Sequence, residues 1–334
     1  MQRPVLALTM GDPAGIGPEI TVKAMLDQEV HNMSRSFVIG DVSVVEDALS
    51  FSGLTANVHK ISSPAEANYE YGTIDVLDLD AIHAHDVAYG EVQESCGRAA
   101  FAYIQKSIQL AMDGAIDAVV TAPINKESLK AANVPYIGHT EMFADMTGAN
   151  EEMTMFSILN LKIFFLTRHV SLAEACRLIT QERVSAGIDK CVSALKQLGF
   201  ENPRLAVAGL NPHAGEHGLF GHEEMEEIVP AVEMAVARGL NVTGPVPADS
   251  VFHMARMGRF DAVLSLYHDQ GHIAAKMMDF ERTVSVTLGL PILRTSVDHG
   301  TAFDIAGQGK ASAVSMIEAV RVGAEYARSG VKLA

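Results

Sequence analysis

Short runs rich in Val, Ile and Leu recur along the chain between longer amphipathic segments. That alternation of periods restricts the fold to a largely parallel sheet covered by helices, since a parallel strand needs a crossover and the crossover covers the sheet. The runs predict strands over Pro4–Met10, Ser36–Gly40, Ile74–Leu79, Ala115–Thr121, Met155–Leu159, Lys162–Thr167, Arg204–Leu210, Asp261–Tyr267 and Thr283–Leu288. Helices are predicted over Pro18–Leu26, Gly97–Met112, Glu182–Leu198, His222–Arg238 and Ala311–Ala327. The runs on either side of Asn160 form a hairpin pattern, which adds antiparallel strands to a mostly parallel α/β sheet. No repeat, low-complexity tract or charged linker divides the 334 residues, so a boundary between two lobes would be a change of sheet that the chain crosses more than once.

Charge narrows the partners. A formal net charge of -16, with no Lys/Arg run, excludes a phosphate-backbone binder, and an anionic small substrate would need a local cationic pocket. The apolar run in MQRPVLALTMGDP is too short for a signal peptide, and no uninterrupted apolar stretch approaches the roughly 18 residues of a membrane span, so the expectation is a soluble, cytoplasmic protein. Cys96, Cys176 and Cys191 are odd in number and lack CxxC spacing, and they read as small core residues.

Three histidines share one context. His169 follows KIFFLTR, His213 follows RLAVAGLNP and His268 closes DAVLSLY, each just past the end of a predicted strand. Ligands bind at that edge of open α/β sheets, and three imidazoles from three strand ends match the protein ligands of an open metal site. Thirteen histidines in the chain leave the plainer reading, ordinary loop residues, open. Asp269 beside His268, and Asp249 at the end of NVTGPVPAD, read as a ligand, an orienter of an imidazole or a proton acceptor; Asp249 reads equally as the N-cap of a helix beginning at Ser250. The glycine-rich MGDPAGIGPE, Met10 to Glu19, matches neither a P-loop nor a dinucleotide fingerprint and is a tight turn by preference.

The segment SVDHGTAFDIAGQGKAS, Ser296 to Ser312, resembles the HGSAPDIAGKGIANP loop of isopropylmalate and isocitrate dehydrogenases. The resemblance implies that His299, Gly300, Ala302 and Asp304 line the adenosine of NAD, with Asp304 at the ribose hydroxyls and NADP as the disfavoured alternative; Thr301 and Phe303 depart from the usual Ser and Pro. With LTMGDPAGIGPE, TAPINKESL, GHTEMFA, NPHAGE, YHDQGH and TLGLPILRTSVDHGTAFDIAGQGKA, the chain resembles the 4-hydroxythreonine-4-phosphate dehydrogenase family over essentially its full length. That resemblance implies a two-lobe architecture like isocitrate and isopropylmalate dehydrogenases, with the active site in the interlobe cleft. Residues 1–130 with 290–334 would bind NAD, and 131–289 would carry the metal, the substrate and the dimer contact.

The family's metal ligands fall on His169, His213 and His268, holding one divalent ion (Zn, Mg, Co or Mn), and its substrate contacts on His139, Thr140, Lys276, Ser285 and Arg294. Ser285 stands where pyridoxine-pathway members carry Asn, and GHIAAK and DFE are similar to the branch acting on D-threonate or D-erythronate 4-phosphate. A further branch acts on aromatic cis-dihydrodiol carboxylates, which lack a phosphate. The implied chemistry is oxidation of a hydroxyl β to a carboxylate, followed by decarboxylation to dihydroxyacetone phosphate, with Asp249 or Asp269 as base and Lys276 as proton donor. The dehydrogenases it resembles complete their sites across a two-fold interface, which implies a homodimer, with His169 a residue that would reach across. Without the resemblance, Arg294 reads as a surface ion pair and Thr140 as an N-cap before Glu141. Competing readings are 4-hydroxythreonine-4-phosphate oxidation in pyridoxal 5'-phosphate biosynthesis, a phosphate acyltransferase and a non-catalytic sugar-phosphate sensor.

Overall fold

The computed structural model describes residues 3–149 and 152–329, and among these the apolar runs become strands. They are β1 (Val5–Thr9), β2 (Arg35–Gly40), β3 (Asn57–Ile61), β4 (Thr73–Asp78), β5 (Ala118–Thr121), β6 (Met153–Ile158), β7 (Leu161–Phe165), β8 (Leu205–Ala208), β9 (Val242–Val246), β10 (Ala262–Ser265), β11 (Val284–Leu288) and β12 (Arg294–Val297). Strands β5, β8, β10 and β12 are buried throughout, the signature of strands covered on both faces.

The chain divides into two units, Met1–Glu152 with Val284–Ala334, and Met153–Thr283. In the first, the strand order is β3-β4-β2-β1-β5-β12-β11, with β11 antiparallel to β12 and the other pairs parallel. In the second the order is β6-β7-β10-β8-β9, with β6 and β7 forming the antiparallel hairpin and the remaining pairs parallel. The fold is therefore the expected mostly parallel α/β arrangement with some antiparallel strands. Residues 131–149 and 284–289, placed with the second lobe from the sequence, fold with the first unit. The reason is packing: helix His139–Thr147 lies on helix Glu94–Met112, and β11 is hydrogen-bonded to β12.

Three strands escaped sequence reading. NVHKI, VTGPV and RTSV are short and polar or contain Gly and Pro, so they lack the apolar run that marks their neighbours. The helix expected over His222–Arg238 is a π-helical turn, Glu224–Ile228, followed by an α-helix from Val229, because Pro230 lacks the N–H that a continuous ladder requires. The last helix starts at Val314, later than expected, because Ala311 is held elsewhere: its N–H donates to Glu19 Oε1 at 2.6 Å and its carbonyl accepts from Lys23 Nζ at 2.7 Å. Cys96 and Cys191 are core residues, whereas Cys176 is only half-buried. No helix among the described residues is long and apolar enough to cross a membrane.

The turn MGDPAGIGPE spends its amides on itself and on neighbouring loops. Asp12 N–H donates to Pro123 O, Gly15 N–H to Asp12 O, Ile16 N–H to Thr301 O, and Ala14 N–H to the Asp12 carboxylate. These contacts within the loop and to its neighbours are those of a tight turn. A Cβ on Gly17 would sit 2.2 Å from the Met10 carbonyl oxygen. Gly17→Ala is therefore expected to destabilise the protein by about 1–3 kcal/mol, measured as a lowered denaturant midpoint; an unchanged midpoint would show that the turn shifts freely.

Candidate active site

Arg294 opens β12, an interior strand of the first unit's sheet, and is 4% exposed, so it is not the surface ion pair that its residue type suggests. Its Nη1 donates to Thr287 Oγ1 at 2.8 Å and its Nη2 to Thr121 Oγ1 at 2.9 Å. Sheet register explains both contacts, because Thr287 on β11 is directly opposite Arg294 and Thr121 ends β5 on the other side. The guanidinium carbon lies 5.0 Å from the centre of the Phe143 ring, and Nε has no hydrogen-bond partner. Burial pushes the Arg294 pKa down to about 9.

His139 stands beside this cation as the first residue of the helix His139–Thr147, and its ring tilts against Phe143 at 6.4 Å. Its Nε2 is enclosed and also without a partner. Burial, and then the charge of Arg294, holds the imidazole pKa well below its ordinary value, so the ring is neutral. A buried guanidinium whose two hydrogen-bonded partners are neutral hydroxyls costs several kcal/mol, of which the aromatic face returns roughly 2. Such an arrangement suits a bound anion, which would supply the missing charge. Thr140 is the second residue of this helix, behind the cap residue Gly138, so the N-cap reading does not hold for it. Ser285 is half-buried on β11, opposite Ser296 on β12.

The second unit gathers the histidines at one edge. Strands β7, β10 and β8 are adjacent and parallel, so their C-terminal ends share an edge of the sheet, and His169, His268 and His213 follow those three ends. His268 is the first residue of the helix His268–Met278, and its ring centre is 6.1 Å from that of His169. Its Nδ1 is 2.6 Å from Asp269 Oδ1; with the proton on Nδ1 the ring donates to that carboxylate and Nε2 is left as the lone-pair nitrogen. The His268 ring stacks on His272 at 3.6 Å, while His272 Nδ1 donates to the His268 carbonyl at 2.8 Å. His272 also packs on Phe156 and Phe165, and burial pushes its pKa down to about 4.

His213 lies in the turn Pro212–Gly218, and among the described residues no three His, Cys, Asp or Glu side chains form a group that would hold a metal. The donors suit a divalent ion in kind, being imidazoles, and the rings of His169 and His268 lie near each other. Asp249 is the second residue of helix Ala248–Arg256, whose cap residue is Pro247, so the N-cap reading fails; its side chain is exposed on a helix that packs against the His213 turn. Lys276, half-buried on helix His268–Met278, has its Nζ 5.1 Å from the centre of the Phe280 ring.

The segment after β12 is a run of turns. His299 Nδ1 donates to Gly300 O at 3.0 Å, Ala302 has a positive φ of 40°, Asp304 is exposed, and Gln308 Nε2 donates to Asp304 O at 2.9 Å. Thr301, at the departure from the dehydrogenase pattern, anchors the segment through its carbonyl to Ile16 N–H. Thr121, Thr287, Phe143 and Glu224 were not singled out from the sequence. Only the alternation that puts Thr287 on the same face as Ser285 offered a signal for any of them.

The sequence profile described as "Pyridoxal phosphate biosynthetic protein PdxA" matches residues 32–323. A Symbiobacterium thermophilum protein named "Putative D-threonate 4-phosphate dehydrogenase" is 60% identical over 325 residues, 97% of each chain. A Halalkalibacterium halodurans protein of the same name is 57% identical over 326 residues, 98% of each chain. Among solved structures, a 4-hydroxythreonine-4-phosphate dehydrogenase from Klebsiella pneumoniae superposes with a TM-score of 0.91 at 40% identity, covering 98% of each chain.

Proposed function

Because this chain belongs to the family described as pyridoxal phosphate biosynthetic protein PdxA, we propose that it is an NAD-dependent dehydrogenase of a phosphorylated four-carbon 3-hydroxy acid, D-threonate or D-erythronate 4-phosphate. The observation that carries the reading is Arg294, a buried guanidinium with two neutral hydroxyl partners and an unpartnered Nε, beside the enclosed, unpartnered Nε2 of His139. The names of the relatives at 60% and 57% identity, together with Ser285 in place of Asn, favour the sugar-acid phosphates. The Klebsiella pneumoniae neighbour favours a second reading, 4-hydroxythreonine 4-phosphate as substrate.

In the proposed reaction the 3-hydroxyl loses its proton to a base and its carbon loses hydride to NAD, giving NADH and a 3-keto acid. Cleavage of the bond to the carboxylate then releases carbon dioxide, and protonation of the resulting enol gives dihydroxyacetone phosphate. Arg294 and His139, with Thr140, take an anionic end of the substrate, the guanidinium through paired N–H donors. Asp249 or Asp269 accepts the hydroxyl proton and Lys276 returns one to the enol carbon. Asp269 has a second use in fixing the His268 tautomer. A divalent ion held by His169, His213 and His268 would supply Lewis-acid stabilisation of developing charge on substrate oxygens.

The first unit holds NAD through His299, Gly300, Ala302 and Asp304, and the second carries the metal ligands. We take the enzyme to act as a homodimer whose sites are completed across the interface, NADP being the weaker cofactor. Ile273, Met277 and Phe280 are 61%, 81% and 62% exposed along and just past the helix that carries Lys276, an apolar strip that a second copy would cover.

The test is NADH formation by purified protein with a divalent ion against D-threonate, D-erythronate and 4-hydroxythreonine 4-phosphates. One sugar-acid phosphate is expected to reach a kcat/KM of about 10⁴ M⁻¹s⁻¹ or more. Higher efficiency with 4-hydroxythreonine 4-phosphate would replace this reading with the second one.

A further inference from the structure

The turn carrying His213 has left-handed backbone at five consecutive residues. Their φ values are 53° at His213, 55° at Ala214, 81° at Gly215, 42° at Glu216 and 55° at His217. Only Gly215 adopts this region without steric cost, so the turn needs support from outside itself. Neighbouring carboxylates supply it: Glu223 Oε2 accepts from Asn211 Nδ2 at 2.7 Å, and Glu224 takes the larger share. Glu224, 2% exposed, accepts the N–H groups of Leu210 and Asn211 at Oε1, at 2.8 and 2.6 Å, and Asn211 Nδ2 at Oε2, at 2.9 Å. Oε2 also closes over the turn, since a Cβ on Gly215 would sit 2.8 Å from it. Glu224 opens the π-helical turn ahead of Pro230, and π-helical turns often mark functional sites.

We propose that Glu224 is a positioning residue, whose carboxylate clamps the left-handed turn and through it places His213. The proposal rests on the reading of His213 as a metal ligand. Ionised Glu accepts hydrogen bonds at both oxygens, whereas Gln would aim an NH₂ group at the Asn211 amide donor or at the two backbone N–H groups. The clamp therefore needs the acid, not merely a side chain of its size.

The test uses the full-length protein, native and Glu224→Gln, with Co²⁺ as the probe ion and amide hydrogen exchange at Leu210 and Asn211 as a readout independent of metal and turnover. The variant is expected to bind Co²⁺ about 10- to 100-fold more weakly, to exchange those two amides faster and to keep its affinity for NAD. Asn211→Ala, which removes one donor and leaves both backbone contacts, should shift both readouts less and in the same direction; it serves as the probe if Glu224→Gln does not fold. Native protein that binds no Co²⁺ would remove the metal reading, while amide exchange still decides the clamp. Unchanged exchange and unchanged Co²⁺ affinity in a folded Glu224→Gln protein would overturn the proposal.

Discussion

Arg294→Lys is expected to raise KM for the phosphorylated acid by about 10- to 100-fold while the KM for NAD moves by no more than about twofold, since losing a paired, charge-assisted contact costs roughly 1.5–3 kcal/mol. The comparison isolates anion recognition, because lysine keeps the charge but not the planar fork. Equal effects on both KM values would assign Arg294 a structural role instead. A companion variant separates stability from binding. Arg294→Leu removes a buried cation whose partners are the neutral Thr121 and Thr287 hydroxyls, so the ligand-free protein should be at least as stable as native, measured by thermal unfolding, and should lose the substrate.

The pH dependence has a definite sign. Burial holds Arg294 down to about 9, below its unfolded value, so the cation's desolvation cost is fully present below that pH. As pH rises through about 9, the folded chain gives up a proton that the unfolded chain keeps, and the cost is relieved. Anion affinity has the opposite trend: it is complete in the charged state and is expected to fall through the same range. A bound anion moves that fall to higher pH by stabilising the cation. A native KM independent of pH across about 8 to 10.5 would separate the guanidinium from substrate capture.

His213→Ala is expected to lower metal-dependent turnover by about 10³-fold, because the lost Lewis-acid stabilisation is worth several kcal/mol at about 1.4 kcal/mol per decade. The Asp304 segment, proposed to hold NAD, belongs to the other unit, so cofactor binding should stay intact, which titration of the cofactor checks directly. Metal content measured on the purified variant supplies the cause. Normal turnover with the native substrate would remove His213 from the ligand set. His268→Ala should behave likewise, with the added loss of the stacking partner of His272.

The α/β class and the hairpin at Asn160 were legible because core strands are continuous apolar runs and because two such runs separated by a short turn containing Asn160 have few alternatives. So was the placement of His169, His213 and His268 at strand ends. The helix expected from Ala311 begins instead at Val314, since nothing local announces that Ala311 is bonded to Glu19 and Lys23, nearly three hundred residues away in sequence.

Composition and periodicity, then, were enough to give the α/β class, its mostly parallel direction and the strand ends at which the histidines stand, since apolar runs and their spacing are local features of the chain. The burial of Arg294 between Thr121 and Thr287, the stacking of His272 on His268 and the hold of Glu224 on the His213 turn depended on register and on contacts between distant segments. A side chain's charge and hydrogen-bonding capacity are written in its residue type, but the partners that satisfy it, or leave it unsatisfied, exist only once the strands are paired.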